Sequence, residues 1–493
     1  MPNLKSSRAL VIASVMATMA MTAIEATIVA TVMPQIAADL GGLRLYSWVF
    51  SSYLLAQTAT TVLFGNLADV YGRKPVMLAG IGIFLLGSLL AGFAWSMPVL
   101  IFCRLIQGVG AGAMQPVAMT IVADLYPARE RGKVQGYLAS VWAVAAVVGP
   151  VLGGIIIHSV SWAWVFWINI PVGILAAAGY VLFLEDHAMH ARRSIDVGGA
   201  VSFTVAVTAL LIALTEVGNH HSTQVATAAA VACIGAVVFL LLERRAKDPM
   251  VSIALWSHRP IAATNGVAVL ANMTLIGLTT FLPIYVQIVM QRSPTIAGLA
   301  LTTMLIGWPA GGTLAARLFH RFALRHLLLT GALLQPLGAI FFVALTPHMS
   351  PFMAAMGSLV MGFGMGLMSV SSLVLVQEIV DSTQRGTVTS SNLFSRNFGS
   401  TLGATLLGAV LNHGLSRSGT LAPVTSDQLR ELLNAPGLTA GAAQVRLAME
   451  QALNITFWAM LVLSLATVIL ALLVPHTELG HHAIKSPAES LPD

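Results

Sequence analysis

Three ionisable side chains sit where the sequence offers them little water. Glu25 lies in MTAIEATIVATVMP (Met21–Pro34), inside a stretch from Ala9 to Pro34 that carries no other charge. Arg104 opens RLIQGVGAGAM (Arg104–Met114), and Arg396 sits in SRNFGSTLG (Ser395–Gly403). A charge at membrane depth costs about 2.5–3.5 kcal/mol or more, so such residues are rare and tend to be functional. A carboxyl can hold a proton while dry and release it when water or a cation arrives. Glu25 is therefore expected to be a proton-exchange group; the competing reading is a permanently protonated acid hydrogen-bonded to a neighbouring helix. Arg104 must find carbonyls, an acid or water, and Gly108 and Gly112 beside it allow another backbone to come close. For Arg396 three roles stand open: substrate contact, proton-linked charge, or interhelical bond.

Two further clusters suit a moving part. GNLADVYGRK (Gly65–Lys74) holds Asp69, Arg73 and Lys74 between Gly65 and Gly72 and the following apolar run. An acid and an arginine four residues apart can pair, or each can reach a neighbouring helix end. That makes a charge latch, or simply a basic loop. GPVLGG (Gly149–Gly154) contains Gly149, Pro150, Gly153 and Gly154. Proline removes one backbone hydrogen bond, which membrane helices tolerate where neighbours or water replace it. The bend either serves alternation between two states or is a static kink.

The elements that must position these residues follow from composition. The 493-residue chain is 57% hydrophobic and 9% charged, against about 25% charged in ordinary soluble domains. Its mean hydropathy is +0.84. These values exclude a water-soluble fold and predict an integral membrane protein. Alternating ten-residue strands are absent. Apolar runs long enough to span fall at roughly 9–33, 46–65, 76–95, 98–121, 134–157, 163–184, 197–216, 225–242, 261–287, 295–316, 326–345, 352–376, 387–411 and 453–474. The fold class is thus all-α with about 14 transmembrane helices. The first run is too long for a signal-peptide core and is read as a retained span.

Several functions drop out. Cys103 and Cys233 stand alone, so neither a disulfide framework nor a metal site follows. His220, His221, His481 and His482 fall in loops or the tail and suggest no metal. The net charge of +6 is spread over loops, unlike a nucleic-acid footprint. GVGAGAM and GFGMG (Gly362–Gly366) lack the Lys-Ser/Thr ending of a phosphate loop and read as packing glycines. No nucleophile–base–acid set stands out, so an enzyme is not expected and no cofactor is implied.

Basic residues set the orientation. Lys5, Arg8, Arg73, Lys74, Arg129, Arg131, Lys133, Arg192, Arg193, Arg244, Arg245, Lys247, Arg259, Arg317, Arg321, Arg325, Arg385 and Lys485 fall on one side; Arg44, Arg292, Arg417, Arg430 and Arg446 fall on the other. The richer side is cytoplasmic by the positive-inside rule, which places both termini in the cytoplasm. GNLADVYGRK is echoed by GTLAARLFHR (Gly312–Arg321), each after the second helix of a six-helix block. Duplicated helical halves are common in secondary transporters. The division expected is an N-terminal bundle (1–190), two inserted helices (191–245), and a C-terminal bundle (246–480) with an extracytoplasmic loop (412–452). A cytoplasmic tail (481–493) follows. SDQLRELLNA in that loop is either a short amphipathic helix capped by Ser426 or plain surface chain.

GNLADVYGRKP closely resembles the loop between helices 2 and 3 of the major facilitator superfamily. RLIQGVGAGAM resembles that family's helix 4 motif, and GPVLGG the helix 5 motif of its exporters. EATIVATVMP (Glu25–Pro34), WAWVFWINIPVG (Trp162–Gly173) and SRNFGSTLG are similar to stretches of the fourteen-helix drug:proton antiporter branch. Two positions depart: Glu25 replaces the usual aspartate, and Ala163 stands between two tryptophans where arginine is usual. The resemblance implies that Arg104 tunes protonation of Glu25 and that the 65–74 loop is a conformational switch.

A central cavity between the halves is expected, with Tyr53, Gln57, Gln115, Trp142, Asn272, Phe281, Tyr285, Trp308, Asn392 and Arg396 as candidate lining. Mostly apolar pockets with few polar anchors suit drug-like ligands, and 22 methionines fit a plastic wall. The leading expectation is a monomeric proton-coupled antiporter of the cytoplasmic (inner) membrane that exports amphipathic or cationic drug-like compounds, driven by the proton gradient without ATP. The alternatives are export of an endogenous lipid, siderophore or metabolite, or uncoupled facilitation on the same fold. Its expected partners are small molecules, protons and the bilayer.

Overall fold

The computed structural model describes residues 4–42, 45–126, 128–185, 197–216, 222–246, 253–319, 321–380, 385–417 and 440–475. For some helical residues within these ranges, Asp69 among them, only the backbone is described. Apolar runs become helices because a helix satisfies every backbone group internally, the condition for crossing lipid. Fourteen long helices result among the described residues. They are α1 (Leu4–Leu40), α2 (Tyr46–Tyr71), α3 (Arg73–Ala91), α4 (Met97–Leu125), α5 (Ala128–Ser159), α6 (Asn169–Phe183) and α7 (Val197–Glu216). Then come α8 (Ser222–Arg245), α9 (Arg259–Ile284), α10 (Pro294–Leu318), α11 (Leu324–Val343), α12 (Pro351–Glu378), α13 (Arg385–Arg417) and α14 (Ala440–Leu473). A helical turn at Trp164–Trp167 leads into α6, and a π-helical turn at Tyr285–Val289 extends α9.

Local chemistry sets several boundaries. Ser293 and Ser350 cap α10 and α12 by accepting from Ile296 N and Phe352 N, each with a proline next in chain. Gly72 breaks α2 from α3 at φ +95°, where a side chain would be strained. The expected loop at 412–452 is shorter than its hydropathy suggested. Helix α13 continues to Arg417 and α14 begins at Ala440, and on this added stretch Arg446 Nε donates to the Val289 carbonyl at 2.8 Å. SDQLRELLNA and the 481–493 tail lie outside the described residues.

Helix pairing repeats. In the N-terminal half α1 packs on α5 and α6, and α4 on α2 and α3; in the C-terminal half α9 packs on α13 and α14, and α12 on α10 and α11. The halves meet along two related seams, α2 with α13 and α5 with α10. The inserted pair, α7 and α8, leans on the first seam, where Phe203 meets Phe239 of α8 and Phe394 and Phe398 of α13.

By length and composition, ten helices among the described residues are able to cross a membrane, against the fourteen expected. Those that fall short are α2, α5, α7 and α13. For α2 and α13 the reason is structural: Ser51 and Thr58 of α2 meet Thr405 and Thr401 of α13 on their shared seam, and Ser391 and Asn392 of α13 turn to Asn265 of α9, all of them buried. These polar groups bond from helix to helix, as with Thr405 to Ser51 at 2.7 Å, instead of meeting lipid. In contrast α8 exposes Ile234, Val237, Leu240 and Leu241.

The largest apolar cluster spans both halves near the Leu40 end of α1, joining Met33, Ile36, Phe50, Phe281, Tyr285 and Phe457. Polar bonds reinforce it: Gln35 Nε2 donates to Gln287 Oε1 at 2.7 Å, and Gln287 Nε2 donates to the Thr31 carbonyl at 2.9 Å. On the seam between α5 and α10, small residues interlock. A Cβ on Gly298 would lie 2.1 Å from Pro150 Cβ, and one on Gly154 would lie 2.3 Å from Thr295 Oγ1.

Candidate functional site

Glu25 occupies the middle of α1 and has 0% exposure. Four other helices reach it or its partners. From α4, Arg104 forms an ion pair with Oε1, and Gln107 Nε2 donates to the same oxygen at 3.2 Å. From α6, Asn169 Nδ2 donates to Oε2 at 2.5 Å. From α3, Ser88 Oγ anchors Gln107 at 2.7 Å. From α2, the Val49 carbonyl accepts from Arg104 Nε at 3.3 Å, and the Tyr53 ring lies 4.2 Å from the guanidinium carbon. Arg104 also donates to Gln107 Oε1 at 2.7 Å.

This arrangement has a chemical consequence. Breaking one partner out of a buried ion pair leaves an uncompensated charge and is strongly unfavourable. Here Arg104 retains the Val49 carbonyl, Gln107 Oε1 and the Tyr53 ring when Glu25 is neutral. The three neighbours of the Glu25 carboxyl named above are all N–H donors. A proton taken up by Glu25 would remove the negative charge that pairs with Arg104, so protonation acts on the tie between α1 and α4.

Beside the pair lies an open cavity whose wall comes from both halves. The N-terminal half contributes Glu25, Thr27, Phe50, Tyr53, Arg104, Trp142 and Pro150, and the C-terminal half contributes Thr279, Leu301, Met304, Trp308 and Ser400. The wall is mostly apolar and aromatic, with the ion pair as its principal charged feature.

Of the candidate lining residues, Tyr53, Trp142 and Trp308 are on this wall. Arg396 is not on the wall; its guanidinium carbon lies 5.5 Å from the centre of the Trp308 ring, which is. The others are elsewhere. Phe281 is fully packed in the core, and Tyr285 is buried with its hydroxyl donating to the Leu345 carbonyl at 2.9 Å. Asn272 spends its amide on the Ala268 carbonyl one turn back, and Asn392 donates to Asn265 Oδ1 at 3.1 Å. The Gln57 carbonyl accepts from Thr61 at 2.7 Å, and Gln115 is exposed away from this wall.

The switch loop is resolved into contacts. Arg73 Nε lies 3.0 Å from Asp124 Oδ2 at the end of α4, and Arg73 also donates to the Ala68 carbonyl at 3.2 Å. Lys74 Nζ donates to the Val181 and Leu184 carbonyls at 2.8 and 3.0 Å, at the C-terminal end of α6, where a cation complements the helix dipole. A Cβ on Gly65 would meet nothing within 4 Å. In the exporter motif, Gly149 lies against Thr27 of α1, whose hydroxyl donates to the Ala145 carbonyl at 3.2 Å. Gly153 lies against Val32 and Ile28. The motif therefore fastens α5 to α1 on one side, and through Pro150 and Gly154 to α10 on the other.

Gln107 and Asn169 were not anticipated. Both had a readable signal: a lone amide in an apolar run resembles a lone acid there, and Gln107 is three residues from Arg104, on the same helix face.

Two six-helix halves, a shared cavity and a buried ion pair on its wall define a secondary transporter. The chain matches the model of the Major Facilitator Superfamily over residues 12–404 and belongs to that family. It is 36% identical over 394 residues to Multidrug resistance protein 3 of Bacillus subtilis (strain 168), covering 79% of this chain and 77% of that one. It is 34% identical over 420 residues to Multidrug transporter protein MdtP of the same organism, covering 85% and 77%. Among solved structures it resembles a bacterial homologue of the human lysosomal transporter Spinster, with a TM-score of 0.67 and 15% identity over 95% of this chain and 97% of that one. This last likeness concerns the fold alone. Membership makes the chain a multi-pass membrane transporter of small molecules and not an enzyme.

Proposed function

We propose that this chain is a proton-coupled antiporter that exports amphipathic drug-like compounds across the cytoplasmic membrane by alternating access. It belongs in the fourteen-helix drug:proton antiporter branch, with both termini in the cytoplasm and all fourteen long helices spanning. The observation that carries this reading is the placement of Glu25, fully buried in a pair with Arg104 and yet on the wall of a cavity that both halves build. With α1 running outward, the contacts among Gln35, Gln287, Pro150 and Gly298 close the outer side, which makes this an inward-facing arrangement. A proton reaching Glu25 from outside removes the charge that holds Arg104 and loosens α1 from α4. Release inward restores the pair. Glu25 is already neutralised by Arg104, so a cationic group gains an acidic partner only once that pair opens.

The names of the relatives support a cargo of drug-like compounds, as does a wall rich in aromatic rings with the adaptable Met304. The testing experiment is export from inverted vesicles energised by a pH gradient. Uptake into the vesicle lumen should collapse when the gradient is dissipated at constant membrane potential. Uptake that continues unchanged would point to the uncoupled facilitator instead.

A further inference from the structure

Arg396 is the odd charge in this molecule. It lies on α13 within the C-terminal half, and its guanidinium rests over the Trp308 ring at 5.5 Å. Among the described residues it has no acid within ion-pair distance and no hydrogen-bond acceptor. Trp308 is a wall residue of the cavity, and Ser400, one helical turn further along α13 on the same face, is another. Arg396 is not itself on the wall, but its guanidinium rests against a wall ring, with its donors unspent among the described residues. One turn back, Asn392 donates through its amide nitrogen to Asn265 on α9, and its Oδ1 accepts from no group, Arg396 included, among the described residues.

The charges around the cavity do not balance. Glu25 and Arg104 cancel as a pair, which leaves Arg396 as one excess positive charge beside an apolar, aromatic wall. A guanidinium offers a planar fork that matches a carboxylate, and a dry setting strengthens that contact. We infer that Arg396 is a specificity-determining residue that receives a carboxylate of the cargo, whose aromatic or aliphatic body lies against Trp308, Trp142 and Tyr53. The preferred cargo class is the amphipathic organic acid. A compound bearing a fixed positive charge faces the guanidinium with no acid free to offset it. This inference rests on the transporter reading above, and names the cargo of the same cavity.

The test uses three probes of one shape: anthracene-2-carboxylate, its amide, and the matching quaternary ammonium compound. They are measured with the full-length protein, wild type and the variants R396Q and R396K, in reconstituted vesicles. Binding to the wild type is measured first, in detergent; the carboxylate should bind more tightly than the amide, and the amide more tightly than the cation. In transport, R396Q should raise the KM of the carboxylate by about tenfold or more, the loss expected for one charge-assisted contact. The KM of the amide should change less than about twofold, and R396K should fall between, since lysine keeps the charge without the fork. Equal losses for carboxylate and amide would make Arg396 a structural residue and overturn the inference. Tightest binding by the cation would overturn it as well, and that result needs no variant. Dissipating the pH gradient separates the two readings: a carboxylate preference that needs Arg396 but ignores the gradient sinks proton coupling alone.

Discussion

Asn169 on α6 donates to Glu25 Oε2 at 2.5 Å, opposite the oxygen held by Arg104 and Gln107 of α4. The carboxyl is thus strung between two helices of one bundle, and protonation would remove the charge that pairs it with Arg104. Replacing Asn169 by Leu removes a donor from a buried charged group, a loss of about 1–3 kcal/mol. The thermal midpoint in detergent should fall and transport should slow. Combining it with Glu25→Gln should cost less than the sum of the two, because both act on one network. A strictly additive double variant would disconnect Asn169 from Glu25.

Pro150 and Gly298 meet on the seam between α5 and α10, and a Cβ on Gly298 has no room there. Overpacking of this kind costs about 1–3 kcal/mol. Gly298→Leu should therefore disfavour the closed seam. With Thr295→Cys as reporter, labelling by a membrane-impermeant maleimide from outside should rise several-fold. Unchanged labelling would mean that the seam is not a gate.

Gln35 and Gln287 bridge the halves at 2.7 Å, between α1 and the turn that follows α9. If that bridge must open in each cycle, a Gln35→Cys, Gln287→Cys pair joined by oxidant should stop turnover, and reductant should restore it. Full turnover by the cross-linked protein would contradict rocking about this end.

Arg73 and Asp124 pair at 3.0 Å, with the Asp124 side chain 55% exposed. Exposed pairs are worth only about 0–1 kcal/mol. Arg73→Ala should accordingly leave the thermal midpoint almost unmoved while lowering turnover, and the swap R73D with D124R should recover part of it. No recovery would detach the effect of Arg73 from its pairing with Asp124.

How far the sequence carried the reading depends on the physics behind each feature. The long helices were legible because lipid demands long apolar runs, and Glu25 because an acid within one is conspicuous. The pairing of Arg104 with Glu25 needed the fold, as 79 residues separate them, although the family resemblance linked the two. The cavity was read poorly. Aromatic and amide residues in a membrane helix look alike whether they face a cavity, a seam or the core, so Phe281, Tyr285, Asn272 and Asn392 were indistinguishable from Tyr53 and Trp308 without helix rotations. Polar contacts hid α2 and α13 from hydropathy, since Ser51 and Thr58 bond Thr405 and Thr401 and the other hydroxyls largely bond backbone carbonyls.

The most direct measurement follows protons and cargo together, in vesicles of purified protein loaded with a pH-sensitive dye. For the wild type, adding cargo on one side should move protons the opposite way. For Glu25→Gln the account predicts that cargo-driven proton movement falls to background while downhill exchange of cargo persists. Proton movement by that variant at the wild-type ratio to cargo would contradict it.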